Sequence, residues 1–168
     1  LLELVRRVRP AQVTLVPDGD GQLTSDHGFD LSGDLSGLKR MVKEFKQEPI
    51  RVSVFVDAGS EGIERLVECG VDRIEIYTGP FAEAFAKGDC SRERDACLRT
   101  ATVARATDLG VNAGHDLSQA NLDCLLRAIP WIDEVSIGHA LFCEALIEGL
   151  EATVLSYLGI LERSRLAS

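Results

Sequence analysis

Short β-type runs alternate with helical stretches along the whole of this chain, and that alternation leaves few folds open. Residues 12–16 end at Pro17-Asp18, 51–56 at Asp57, 73–77 at Thr78-Gly79, 111–113 at Gly114-His115 and 134–137 at Gly138-His139. β-Branched residues enrich the runs, and Gly, Pro or Asp closes them, as strands meeting turns require. Between them, Leu38, Met41, Val42 and Phe45 fall on one helical face, as do Ile63, Leu66 and Val67. Residues 91–109 predict a long helix with Ala96, Cys97, Thr100, Ala104 and Leu109 inward. Ser118 fits as the N-cap of a helix that carries Leu122, Leu125 and Leu126 and stops at Pro130. Residues 144–163 predict a last long helix burying Leu146, Leu150, Val154, Leu158 and Leu161, and residues 1–8 the tail of one before the first strand. Such β–α alternation implies a parallel sheet with helical crossovers. No linker divides the chain, so residues 1–168 are expected to form a single domain. Two architectures remain, an open doubly wound sheet and part of a (β/α)8 barrel. No GxGxxG follows the first strand, so a dinucleotide site is not expected.

Composition narrows the function classes. With 168 residues, 45 % of them hydrophobic and 27 % charged, the chain can bury a sizeable core and is not of the disordered class. No stretch approaches the roughly 18 apolar residues of a membrane span. A net charge of −9 argues against a nucleic-acid partner, which needs a basic footprint. Backbone amides at helix N-termini can still hold phosphate in an acidic protein. The five cysteines are odd in number and lack CxxC spacing, which argues against a zinc ribbon and a disulfide framework. A reducing cytoplasm is expected, with most of the cysteines as small core residues. The chain begins LLELVRRVRP, without Met or a signal-peptide core, so it is expected to be processed or to begin within a domain.

Chemistry-bearing residues gather at strand ends, where both architectures place a ligand site. Of three histidines, His115 and His139 each follow a Gly directly after a strand. A lone His is usually structural, but two Gly-His pairs at successive strand ends favour function. Gly lets a ligand approach the backbone, and imidazole exchanges protons near neutral pH. Glu75 interrupts the apolar run Ile74-Glu75-Ile76, a costly place for an unpaired carboxylate. It is either a structural ion pair or an inward group at a barrel mouth that stabilises cationic intermediates. Asp57 ends the second strand, where helix capping is an equally good reading. Residues 15–28 form a long Gly- and Asp-rich loop, a lid by its length. Asp18 and Asp20 suggest calcium, but the closing acidic residue of an EF-hand is missing.

Together these segments resemble the pyridoxine 5'-phosphate synthase family of vitamin B6 biosynthesis. The matching stretches are Leu15-Val16-Pro17 with Leu23-Thr24-Ser25-Asp26-His27-Gly28, Arg51-Val52-Ser53-Val54-Phe55-Val56-Asp57-Ala58, Ile74-Glu75-Ile76-Tyr77-Thr78-Gly79, Val111-Asn112-Ala113-Gly114-His115 and Ile137-Gly138-His139-Ala140. The resemblance implies a (β/α)8 TIM barrel, of which this chain would hold strands 4–8. It implies a transferase that condenses 3-amino-2-oxopropyl phosphate with 1-deoxy-D-xylulose 5-phosphate, without organic cofactor or metal. By motif, His115 would donate a proton and Glu75 would stabilise the transition state. Thr24 would contact the deoxyxylulose phosphate, and Asp116, Gly138 and His139 would hold the aminooxopropyl phosphate. The resemblance also implies a cytoplasmic homo-oligomer, an octamer, with small phosphorylated substrates and no membrane partner.

Asp116 stands where many relatives have Gly, so its side chain is expected to turn away from phosphate while its N–H donates. The family's early Asn-x-Asp-His strand, His/Arg cluster and Glu base have no counterpart here. The first three strands are therefore expected to be absent and the chain alone to lack synthase activity, since a lost base costs roughly 10²–10⁴ per step. Alternatives are another phosphate-binding barrel, such as a sugar-phosphate isomerase or epimerase, and a non-catalytic half-barrel module.

Overall fold

The computed structural model describes residues 2–19 and 21–166. Leu1 and Asp20, on which the first-helix and calcium readings partly drew, lie outside the described residues. Five strands pair in parallel and in chain order: β1 (Gln12–Leu15), β2 (Arg51–Asp57), β3 (Arg73–Tyr77), β4 (Gly110–Gly114) and β5 (Glu134–Ser136). A doubly wound sheet would reverse its order at a switch point, whereas this order runs on without reversal.

The sheet is rolled toward one face. A flat sheet would hold β2 and β5 about 14 Å apart, three spacings of ~4.8 Å. Yet Arg51 on β2 bonds Glu134 on β5 at 2.6 Å, and Thr14 on β1 donates to Glu75 on β3 at 2.9 Å. An α/β fold with a curled, sequential parallel sheet of five strands is part of a barrel-like architecture.

Strand pleating then sorts residue types by face. On the outer face Val52, Val54, Val56, Ile74, Ile76, Val111 and Ala113 are buried against helices, in a core with Val42, Phe45, Leu66, Ala101, Ala104, Leu122 and Leu125. On the inner face the register aligns Thr14 with Ser53, Glu75 with Asn112, and Asn112 with Glu134. At the N-terminal ends of the strands, Arg73 bonds Asn112 and pairs with Glu134, while Arg51 bonds Gln12, closing that end with an ion-pair layer.

The helices are α1 (Leu2–Val8), α2 (Ser36–Phe45), α3 (Arg65–Glu68), α4 (Gly79–Ala86), α5 (Ser91–Ala106), α6 (Leu122–Ala128), α7 (His139–Glu148) and α8 (Leu150–Leu166). Several differ from expectation. Met41 and Val67 face outward, and Ser118 leads a turn before α6 in which Asn121 Oδ1 accepts its N–H. The single final helix is two, because Gly149 at φ +88° breaks it. With the phase reset, Thr153, Tyr157, Ile160 and Ser164 pack inward, while Leu146, Leu150, Val154 and Leu158 are exposed. Of the cysteines only Cys69 and Cys97 are buried; burial pushes the Cys97 thiol up to about 12. Among the described residues no helix is long and apolar enough to cross a membrane.

Candidate active site

Each strand delivers its last inner-face residues to the C-terminal rim of the sheet, and there Thr24, His115, Asp116, Ser136, Ile137, Gly138 and His139 line one cleft of about 330 Å³. Five of the six residues singled out from sequence therefore meet in a single cavity. The sixth, Glu75, lies just beneath on the inner face. It is 8 % exposed and accepts one bond, from Thr14 Oγ1. A Cβ at Gly114 would overlap the other Glu75 carboxylate oxygen and come 3.0 Å from Ser136 Cβ, so the carboxylate dictates glycine on the neighbouring strand.

His115 is fixed from several sides. Its Nε2 lies 3.0 Å from Thr24 Oγ1, which draws the long β1–α2 loop over the cleft. Its ring meets the Tyr77 ring edge-on with centroids 5.0 Å apart. Nδ1 is buried and stands 3.0 Å from Asp116 Oδ2, outside hydrogen-bond alignment. The Asp116 carboxylate lies against the imidazole.

The backbone here is strained, with His115 at φ +87° and Asp116 at φ +56°, values that non-glycine residues seldom adopt. Two residues that sequence reasoning missed hold it. Thr78 Oγ1 is shared between the carbonyls of Gly114 (2.7 Å) and His115 (2.6 Å), and Asn121 Nδ2 donates to the Asp116 carbonyl at 3.1 Å. Nothing local in the sequence signals this strain. Tyr77 was also missed, although its place two residues after Glu75 puts it on the same face. Burial, reinforced by the Asp116, Asp26 and Asp57 charges, raises its phenol above the usual value.

The loop's return is clamped on β2. Gly28 N–H donates to Asp57 Oδ1 at 2.8 Å and Phe29 N–H to the Phe55 carbonyl at 2.9 Å. A Cβ on Gly28 would collide with the Val56–Asp57 backbone. Asp57 thus anchors the loop, where capping had been the rival reading. Within the loop, Asp26 bonds His27 at 2.6 Å, which lowers the carboxyl and raises the imidazole from their usual values.

The opposite wall is the start of α7. Gly138 precedes it and His139 is its first residue, so its unpaired N–H groups and positive dipole end face the cleft. A Cβ at Gly138 meets nothing within 4 Å, so no neighbour in the chain demands glycine there. The neighbouring loop is tied to α7 where Gln119 Nε2 donates to Glu144 at 3.1 Å and to Glu148 at 3.2 Å. Among the described residues no group of three His, Cys, Asp or Glu side chains is placed to hold a metal ion.

A curled parallel sheet with a carboxylate, an imidazole and a helix N-terminus gathered at its C-terminal rim defines an α/β protein of barrel-like architecture with its candidate site at that rim. The chain belongs to the family described as "Pyridoxal phosphate biosynthesis protein PdxJ", whose model matches residues 1–163. It is 53 % identical over 168 residues to the pyridoxine 5'-phosphate synthase of Xanthomonas axonopodis pv. citri (strain 306), covering 100 % of this chain and 66 % of that protein. It is 56 % identical over 166 residues to the pyridoxine 5'-phosphate synthase of Xylella fastidiosa (strain 9a5c), covering 96 % of this chain and 62 % of that protein. The chain thus spans less than two thirds of the length of these relatives. A solved hydroxymethylglutaryl-CoA lyase from Pseudomonas aeruginosa aligns at 16 % identity and TM-score 0.44, over 76 % of this chain and 55 % of that one, too distant to bear on function.

Proposed function

We propose that this chain carries the proton-donating, carboxylate and phosphate-binding part of a pyridoxine 5'-phosphate synthase. Its reaction would join 3-amino-2-oxopropyl phosphate to 1-deoxy-D-xylulose 5-phosphate and close the ring, within a complete (β/α)8 barrel. The observation that carries this reading is the single cleft shared by Thr24, His115, Asp116, Gly138 and His139, with Glu75 beneath it.

In this reading the N-terminus of α7 receives the aminooxopropyl phosphate. Its oxygens take the free amides after Gly138, and the helix dipole favours their charge. The absence of a side chain at Gly138 leaves room for that contact. The adjacent Asp116 carboxylate is spent on His115, which limits its repulsion of phosphate. His115 then gives its proton from Nε2, the nitrogen turned to the cleft and to Thr24. Thr24, exposed on the loop, exchanges its histidine contact for the deoxyxylulose phosphate. Amine addition to a ketone passes through cationic species, and the inner-face Glu75 carboxylate opposes that charge from below. The exposed apolar residues Leu146, Ile147, Leu150, Leu155 and Leu158 support a homo-oligomer; family resemblance makes it an octamer and places it in the cytoplasm.

The test supplies the part of the relatives that this chain does not span. The purified chain is mixed with the remaining segment of the Xanthomonas relative and both substrates, and pyridoxine 5'-phosphate is followed. Product from the mixture and its loss by roughly 10²–10⁴ in His115→Asn is expected. Equal product from wild type and His115→Asn would reject the role of His115.

A further inference from the structure

The thiols of Cys90 and Cys124 are 34 residues apart in sequence yet stand 3.8 Å apart, Sγ to Sγ, in hydrogen-bond contact. Cys90 immediately precedes α5, and Cys124 lies in the first turn of α6. Both are partly exposed, so a small reagent can reach them, whereas Cys69 and Cys97 are buried. A disulfide needs an S–S separation of about 2.05 Å, so the sulfurs must close by about 1.8 Å. Side-chain rotation and a small shift of one short helix supply that movement.

We propose that Cys90 and Cys124 are a thiol pair that exchanges with low-molecular-weight disulfides to form a reversible intramolecular disulfide, which tightens the turn holding His115. The exchange balances in two steps. The thiolate of one cysteine attacks a sulfur of the small disulfide, forming a mixed disulfide and releasing one small thiolate. The second cysteine, deprotonated, attacks the protein sulfur of that mixed disulfide and releases the other small thiolate. Two protein thiols are oxidised to one disulfide, and one small disulfide is reduced to two thiols.

The chemistry around the pair sets its rate. Burial, with the Cys124 contact adding to it, raises the Cys90 thiol above its usual value, and Arg94 opposes the rise. Cys90 therefore rests as a thiol near neutral pH, and its attack on a disulfide quickens as pH rises. Its link to the cleft is short. Asn121, three residues before Cys124, donates to the Asp116 carbonyl and accepts the Ser118 N–H. Drawing the first turn of α6 toward Cys90 acts on that brace, and so on the strained His115–Asp116 turn.

The experiment incubates the folded chain with oxidised glutathione at mildly alkaline pH, alkylates what remains free, and maps thiols by peptide mass spectrometry. Two of the five thiols should be lost in a peptide pair joined through Cys90 and Cys124, and exposed Cys143 should carry glutathione. Cys69 and Cys97 should be alkylated only after unfolding. Cys90→Ser and Cys124→Ser should each abolish the joined peptide while Cys143 still reacts. Full modification of Cys143 with no joined peptide would overturn the proposal. In the second arm, oxidation should shift the His115 ring proton signals in wild type but not in Cys124→Ser. A joined peptide with unmoved His115 signals would overturn the coupling to the cleft.

Discussion

β3 presents two opposite surfaces in five consecutive residues. Ile74 and Ile76 point outward, fully buried against the helices, while Arg73, Glu75 and Tyr77 point inward to an ion pair, a carboxylate bond and a histidine ring. The neighbours repeat this, with Val52, Val54 and Val56 outside and Ser53, Phe55 and Asp57 inside on β2. The outer face holds the sheet to its helices through apolar burial. The inner face is mostly polar, with Phe55 packed against Tyr77 as its apolar exception, and its order from base to rim runs from ion pairs to the Glu75 carboxylate to the open cleft. Variants should separate stability on one face from chemistry on the other.

The largest effect is expected outside. Ile76→Ala removes a wholly buried side chain and should lower unfolding free energy by about 2–5 kcal/mol in urea titration. A loss below about 1 kcal/mol would mean the outer face is not the main core. Next comes Gly114→Ala, whose Cβ would overlap the Glu75 carboxylate. Overpacking should cost about 1–3 kcal/mol and displace Glu75, seen as lost stability together with weakened activity. Thr78→Ala should cost about 1–2 kcal/mol, since the Thr78 N–H still holds the Gly114 carbonyl while the His115 carbonyl loses its hydroxyl donor.

The smallest effect lies in the loop, just before its Gly28 clamp. With its pKa raised by Asp26, His27 stabilises the loop at pH below its unfolded value and loses that contribution as pH rises through the folded value. Asp26, lowered by His27, contributes above its unfolded value and loses it as pH falls through the folded one. An NMR titration should place the His27 midpoint above that of a free imidazole, and Asp26→Asn should bring it down. A midpoint unmoved by that substitution would break the pair.

The outer face was legible in the sequence because β-branched residues and terminating Gly or Asp repeat at every strand. The inner face was equally encoded, in Arg51-x-Ser53, Arg73-x-Glu75-x-Tyr77 and Asn112-x-Gly114, but Glu75 alone drew notice as an interruption. Reading every second position of each strand would have identified a polar lining and found Tyr77. The α7–α8 segment misled because leucines surround that helix and offer more than one apolar stripe. Only the break at Gly149 selects the stripe of Thr153, Tyr157 and Ile160. The roles of Thr78, Asn121 and Asp57 depend on carbonyls and amides brought from other elements, which no local spacing records.

The most direct test of the inner face as the seat of chemistry is Glu75→Gln, which keeps shape and can still accept the Thr14 hydroxyl while losing charge. Product formation is measured in the complemented mixture alongside the melting temperature. The account predicts a rate lowered by roughly two orders of magnitude or more with a nearly unchanged melting temperature. A wild-type rate in Glu75→Gln would contradict it.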